Sequence, residues 1–286
     1  MSKIRFRKHK QKQRKQREIP IRTMIPNLVT LMAAASGITS IRYSCHGNWR
    51  FAVIAIIVAG VLDGLDGRMA RMLRVTSKLG AELDSLADFV SFGVAPALLV
   101  YLWIMEKIPP NCLTYHFRGL FWAIALFYAM CAAFRLARFN IMIDDNPLQP
   151  YWKHFFVGLP SPGGAGLALT PIIWQIHTGS TFIQTPWINS LMLFVCGILM
   201  ACRWPTFSAK SMRIPHRQMI PILLLIMFLI GMLVSQFWLT LSIIGILYLL
   251  SVPLCGYIFL RLRQRYVSQQ TPHPYTTEPI TSNNIK

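Results

Sequence analysis

Acidic residues are scarce in this 286-residue chain, which holds 10 aspartates and glutamates against 29 lysines and arginines. Charged residues of either sign make up only 14% of the sequence, whereas 54% of it is hydrophobic. Such low charge, combined with long apolar runs, excludes an ordinary soluble domain of this size. The apolar runs are continuous rather than alternating, which excludes membrane-spanning strands and favours membrane-spanning helices.

Patterns typical of soft-metal and thiol redox sites are also missing. The six cysteines include no C-x-x-C pair, and the seven histidines include no pair at i,i+4 spacing. Most of the cysteines lie in apolar runs, where cysteine behaves as a small hydrophobic residue. Cys45 and Cys112 both fall in predicted outer loops, so a disulfide between them is a minor alternative. We expect no cleavable signal peptide, because the basic N-terminal region is long and no small-residue cleavage site follows the first apolar run.

The net charge of +19 invites a nucleic-acid interpretation, but its distribution favours a membrane surface. Residues 1–23 hold ten lysines and arginines with glutamines between them. We interpret this segment as a disordered cytoplasmic tail that contacts anionic lipid, and we expect no nucleic-acid partner because no folded basic domain is present. Residues 24–265 then form a transmembrane catalytic domain, and residues 266–286 form a polar C-terminal tail with no assigned function.

The hydropathy pattern predicts an all-α polytopic membrane bundle with about eight transmembrane helices. The predicted spans are Met24–Ile41, Phe51–Met69, Ala81–Met105, Gly119–Leu136, Phe155–Ile176, Ile188–Arg203, Met219–Gln236 and Trp238–Leu260. The fifth and sixth spans depart from the regular pattern. Pro160, Pro162 and Pro171 interrupt the fifth span, and the sixth span is short.

The basic residues orient these spans. If the N-terminus is cytoplasmic, most lysines and arginines fall in inner segments, as the positive-inside rule requires. The basic residues of the outer segments are Arg42, Arg50, Lys107 and Arg118. We therefore expect a multi-pass protein of the bacterial inner (cytoplasmic) membrane with both termini inside. This orientation places the segment Asp63–Asp88 and the active site near the cytoplasmic face.

Four of the ten acidic residues are clustered between apolar runs, at Asp63, Asp66, Asp84 and Asp88. A charged side chain within the bilayer costs about 3 kcal/mol, and four neighbouring carboxylates repel one another unless a cation neutralises them. The spacings i,i+3 and i,i+4 put each pair on one helix face, and a short loop makes the two helices neighbours. Converging carboxylates suit hard divalent cations, and two such ions can hold a pyrophosphoryl group.

This segment reads D-x-x-D-G-x-x-A-R, eight residues, then G-x-x-x-D-x-x-x-D. All eight fixed positions match, and the chain resembles the CDP-alcohol phosphotransferases, integral membrane enzymes that move a phosphatidyl or similar group from a CDP-linked donor to an alcohol. Three further stretches make the membrane-spanning phosphatidylserine synthases the most similar branch. These stretches begin at Asp84, Phe134 and Gly158 and read DSLADFVSFGVAPA, FRLARFN and GLPSP. The resemblance covers about residues 26–168 and implies two divalent cations, Mg²⁺ or Mn²⁺, and a homodimer.

The resemblance also implies roles for individual residues. The metal ligands are Asp63, Asp66, Asp84 and Asp88, with Asp88 also acting as general base. The donor-binding residues are Asn27, Thr30, Gly67, Arg71 and Ser77. The chemistry of serine, which carries a carboxylate and an ammonium group, adds the candidate acceptor-binding residues Arg135, Arg138, Asn140 and Ser161. Ordinary alternatives remain open for some of them: Asn27 and Thr30 are suited to capping a helix start, and Arg135 and Arg138 lie where topology alone favours positive charge.

We therefore expect transfer of the phosphatidyl group from CDP-diacylglycerol to L-serine, giving phosphatidylserine and CMP. One alternative keeps this chemistry with another acceptor, such as glycerol 3-phosphate or an inositol phosphate. A second alternative, outside the enzyme class, is a cation transporter that uses the same four aspartates. Transporters often show internal repeats, and the second half of this chain lacks an acidic cluster that would repeat the first.

Overall fold

The computed structural model describes residues 21–73, 78–145, 155–180, 185–202, 204–207 and 218–270. Most of these residues lie in eight helical segments, which confirms the predicted all-α bundle. The segments are α1 (Ile21–Cys45), α2 (Trp49–Leu73), α3 (Lys78–Asp88) continued by a π-helical segment (Phe89–Val94) and α4 (Ala95–Lys107), α5 (Arg118–Asp145), α6 (Ser161–Thr178), α7 (Pro186–Ala201), α8 (Met219–Ser235) and α9 (Phe237–Gln270). Most of both predicted tails, and the predicted donor contact Ser77, lie outside the described residues.

The helical segments match the predicted spans in number and order. In the described part of the chain, four segments are long and apolar enough to cross a membrane: Met24–Cys45, Lys78–Lys107, Leu113–Ile141 and Phe237–Arg261. The helices α7 and α8 are apolar but shorter. No residue of α8 is buried, and this helix packs along α9 at the edge of the bundle.

The predicted fifth span was wrong over its first six residues. Phe155–Val157 form a strand, β1, which pairs antiparallel with Pro205–Phe207, β2. Pro160 has an extended backbone with φ −62° and ψ 146°, and α6 begins only at the next residue. Proline fits the first turn of a helix but not its interior, so Pro162 at the start of α6 favours this later beginning.

Small polar residues hold α1 close to α2. The Ser36 hydroxyl donates a hydrogen bond to the Ala55 carbonyl at 2.8 Å, and the Ser40 hydroxyl donates to the Ala52 carbonyl at 2.8 Å. The turn between the helices contains Gly47 at φ +69°, a conformation that glycine adopts without a steric penalty. Side chains this small allow two helix backbones to approach closely inside a membrane.

The π-helical segment Phe89–Val94 follows directly after Asp88. Pro96 has no N–H group to donate to the Phe92 carbonyl, four residues earlier. The hydroxyl of Tyr128, which is fully buried, donates to this carbonyl at 3.0 Å. The Tyr128 hydroxyl thus replaces the N–H group that Pro96 lacks, and it holds the helix just beyond Asp88 against α5.

Candidate active site

Three carboxylates converge where α2 and α3 lie beside α1. Asp63, Asp66 and Asp84 each offer an oxygen, and these oxygens lie within 4.8 Å of one another. No aspartate of this group forms a salt bridge within 4.0 Å to a basic residue of the described chain. The negative charge is therefore concentrated without a cationic side chain in contact. An all-oxygen, anionic donor set of this kind fits hard divalent cations such as Mg²⁺ or Mn²⁺.

Thr30 of α1 holds one of these carboxylates. Its hydroxyl donates a hydrogen bond to Oδ2 of Asp66 at 2.6 Å, with the Pro26 carbonyl at 3.1 Å as an alternative acceptor. Both Thr30 and Asp66 are buried. The sequence suggested Thr30 as a contact to the donor nucleotide, whereas in the structure its hydroxyl contacts a carboxylate of the cluster. Asn27 is half-buried and lies three residues earlier on the same helix.

Asp88 lies at the end of α3, one turn beyond Asp84. Its carboxyl group is within hydrogen-bonding reach of that of Asp63 and close enough to Arg135 for a charge interaction. It is not a member of the group of three carboxylates described above. Asp88 therefore lies between this group of carboxylates and α5. Its role as a metal ligand remains a prediction.

Arg135 on α5 and Ser161 on α6 are brought together. The guanidinium donates through Nη1 to the Ser161 hydroxyl, and Ser161 is fully buried at the start of α6. The Nε atom of Arg135 is buried and has no hydrogen-bond partner among the residues that the structure describes. Since an unsatisfied buried donor is costly, this N–H group is available for a ligand. Of the four predicted acceptor residues, these two contact each other, and Arg135 is within range of a charge interaction with Asp88.

The other two predicted acceptor residues make contacts between structural elements. Arg138 donates through Nη1 to the Ala201 carbonyl at the end of α7, at 2.7 Å. Asn140 is exposed and donates through Nδ2 to the Ser85 hydroxyl on α3, at 3.0 Å. These bonds join α5 to α7 and to α3. Acceptor binding by Arg138 and Asn140 remains a prediction.

The predicted donor contacts Gly67 and Arg71 lie on α2, four and eight residues after Asp63, and therefore on the same helix face. Gly67 is half-buried, yet a Cβ atom added to it would meet no atom within 4 Å. Arg71 is exposed. The backbone at Gly67 is therefore bordered by open space close to the carboxylates. The guanidinium of Arg71, one helical turn after Gly67, is suited to binding phosphate oxygens.

Comparison with known proteins places this site in a family. Residues 23–207 match the family model described as CDP-alcohol phosphatidyltransferase, and residues 218–253 match a second model described as CDP-alcohol phosphatidyltransferase 2. Similar curated proteins include one from Mycobacterium leprae, 31% identical over 231 residues, which are 80% of this chain and 73% of that protein. Another, from Bacillus subtilis, is 36% identical over 169 residues, which are 59% of this chain and 86% of that protein. Both proteins are named CDP-diacylglycerol–serine O-phosphatidyltransferase.

Proposed function

Because the chain belongs to the CDP-alcohol phosphatidyltransferase family, we propose that it transfers the phosphatidyl group of CDP-diacylglycerol to L-serine. The products are phosphatidylserine and CMP. The observation that carries the proposal is the contact of half-buried Arg135 with buried Ser161, within range of a charge interaction with Asp88, which in turn reaches Asp63 of the carboxylate cluster. The names of the similar proteins from two bacteria support the choice of serine as acceptor.

Two divalent cations, Mg²⁺ or Mn²⁺, are proposed as cofactors, held by Asp63, Asp66 and Asp84 with Asp88 as a further ligand. When bound, such ions neutralise the pyrophosphate of the donor and the negative charge that develops on the departing CMP. The buried Thr30 hydroxyl keeps the carboxylate of Asp66 oriented for this purpose, as groups behind metal ligands generally do.

The reaction itself needs a base and an oriented hydroxyl group. Asp88 accepts the proton of the serine hydroxyl, whose oxygen forms a new bond to the phosphorus that carries diacylglycerol. The bond from this phosphorus to the CMP oxygen breaks, and CMP leaves with the electron pair. Asp88 suits the role of base because it lies between the carboxylate cluster and Arg135, where donor and acceptor must meet.

Arg135 binds the carboxylate of serine. A guanidinium forms parallel hydrogen bonds to a carboxylate, and the buried Nε of Arg135 has a donor available for this contact. An acceptor that carries a phosphate dianion, such as glycerol 3-phosphate, calls for a denser cluster of basic residues. Arg138 is one turn along α5, but its guanidinium bonds to the Ala201 carbonyl.

A direct test supplies purified protein with CDP-diacylglycerol labelled in its phosphatidyl group, together with each candidate alcohol in turn. We expect labelled phosphatidylserine and stoichiometric CMP with L-serine, and no lipid product with glycerol 3-phosphate or an inositol phosphate. Preferential transfer to one of those phosphates would overturn the choice of serine. Divalent-cation flux in proteoliposomes without CMP release would support the transporter alternative.

Gly67→Ala is expected to lower kcat/KM for CDP-diacylglycerol more than about tenfold, because the donor must approach the backbone where the added methyl group would lie. The thermal unfolding midpoint should stay unchanged, since this methyl group meets no protein atom within 4 Å. Gly64→Ala is the matched control, because its added methyl group also meets nothing within 4 Å. Wild-type kinetics for Gly67→Ala would exclude close approach of the donor at this position.

We further propose that the protein lies in the bacterial inner membrane with its active site facing the cytoplasm. Cys45 and Cys112 are exposed free thiols at one end of the bundle, and Cys202 is an exposed free thiol at the other end. In intact spheroplasts, a membrane-impermeant maleimide should therefore label Cys45 and Cys112 but spare Cys202 until the membrane is opened. Labelling of Cys202 alone would reverse the orientation.

The resemblance also leads us to propose a homodimer. The exposed apolar helix α8 leaves ample surface for lipid or a second copy of the chain. Native mass spectrometry of the protein in detergent should give the mass of two chains. The mass of one chain across all detergents in which the enzyme is active would contradict this proposal.

A further inference from the structure

Tyr248 reaches the neighbourhood of Arg135 and Ser161 from α9, which lies outside the aspartate motif. A Cβ atom added to Gly163 would lie 2.5 Å from the Tyr248 hydroxyl oxygen and 3.1 Å from two ring atoms. Gly163 is two residues after Ser161, in the first turn of α6. The phenol is also close enough to the Arg135 guanidinium for a charge interaction. Three helices therefore bring these polar groups to one place.

The crossing of α6 and α9 fixes the position of this ring. One turn before Tyr248, a Cβ atom added to Gly245 would lie 2.5 Å from Oγ1 of Thr170 on α6. The two helices thus cross with a glycine on each, which lets their backbones approach closely. The Tyr248 ring is partly buried and packs against the hydrophobic core. Its hydroxyl is consequently held near Arg135 before any substrate binds.

The chemistry of these groups indicates the ligand. A guanidinium only donates hydrogen bonds, and a phenol can donate one. Arg135 has a buried Nε donor with no partner among the described residues, and the Tyr248 hydroxyl, which lies against Gly163, is within range of a charge interaction with the same guanidinium. Two donors brought into one neighbourhood favour an anion there. We propose that Tyr248 donates a hydrogen bond to the carboxylate of the acceptor, next to Arg135; this inference rests on the proposed function.

Tyr248→Phe removes only the hydroxyl group and is the first test. We expect the KM for L-serine to rise about tenfold, the loss typical of one hydrogen bond to a charged group, while the KM for CDP-diacylglycerol and kcat stay within about twofold. Tyr257→Phe is the matched control, because Tyr257 lies exposed on the same helix. An unchanged serine KM, or an equal rise in both KM values, would overturn the proposal.

A second pair of variants moves the ring without changing it. Gly163→Ala requires the Tyr248 ring to shift, so we expect a similar rise in the serine KM with little change for the donor. Gly166→Ala, on the same helix, adds a methyl group that meets nothing within 4 Å and should behave as wild type. Wild-type serine KM in Gly163→Ala would show that the position of the ring does not matter for the acceptor.

The two proposals fail in different ways. If the wild-type protein forms no phosphatidylserine from L-serine, both the proposed function and the proposed role of Tyr248 are excluded. If the wild type uses L-serine but Tyr248→Phe keeps the wild-type serine KM, only the proposed role of Tyr248 is excluded. Thermal unfolding of each variant, measured in the same detergent, separates both results from a loss of folded protein.

Discussion

Asp88→Asn is expected to lower kcat about 1,000-fold while the affinity for CDP-diacylglycerol stays within about threefold of wild type. Asparagine preserves the size of the side chain but cannot take the proton of the acceptor hydroxyl. The carboxyl group of Asp88 lies within reach of Asp63 and interacts with Arg135, between the two halves of the site. The rate of CMP release gives kcat, and direct binding of labelled donor gives the affinity.

Glu82→Gln is the control for this substitution. Glu82 is exposed on the same helix, α3, and occupies a variable position of the aspartate motif, so its replacement should leave both quantities unchanged. Activity of Asp88→Asn near that of wild type would exclude Asp88 as the general base. A parallel loss of donor binding would assign Asp88 to holding a cation instead.

Arg135→Ala is expected to raise the KM for L-serine about 100-fold and to change the KM for CDP-diacylglycerol far less, because a charged hydrogen-bonded pair is lost on the acceptor side alone. The structure gives the reason for this difference between the substrates: Arg135 contacts Ser161, and its buried Nε has no partner in the described part of the chain. Initial rates of CMP release, with each substrate varied at saturating concentrations of the other, measure both constants.

Two further variants test whether the effect on the serine KM is specific to the Arg135 guanidinium. Arg135→Lys keeps the positive charge but loses the planar fork, so the serine KM should fall between those of wild type and Arg135→Ala. Arg138→Ala removes the hydrogen bond to the Ala201 carbonyl and should lower the thermal unfolding midpoint without the same selectivity for serine. Equal effects of Arg135→Ala on both substrates would favour a structural or phosphate-binding role for Arg135.

Local spacing explains why much of this fold and site could be predicted from sequence. Continuous apolar runs predicted eight membrane helices, and the described residues form eight long helical segments in the same order. The i,i+3 spacing of Asp63 and Asp66 fixes one face of α2, and Asp84 lies on the next helix along the chain. Helix geometry alone places Asp63 and Asp66 together, whereas Asp84 joins them because α2 and α3 both pack against α1.

Contacts between distant helices could not be predicted in the same way. The bond from Thr30 to Asp66 and the approach of Tyr248 to Gly163 both depend on how each helix is rotated about its axis. A helix that is apolar on every side carries no periodic signal for this rotation. The strand Phe155–Val157 was missed because an apolar run before a proline fits both a helix and a strand.

The account depends most on the claim that these aspartates bind divalent cations, and Mn²⁺ binding to the purified protein tests it directly. Equilibrium dialysis or electron paramagnetic resonance with CDP-diacylglycerol present should find about two Mn²⁺ ions per chain in the wild type. Asp84→Asn should weaken this binding at least about tenfold, whereas Glu106→Gln, which alters the Glu106–Lys107 pair elsewhere, should not. Absence of Mn²⁺ binding by active wild-type protein, or unchanged binding by Asp84→Asn, would contradict the account.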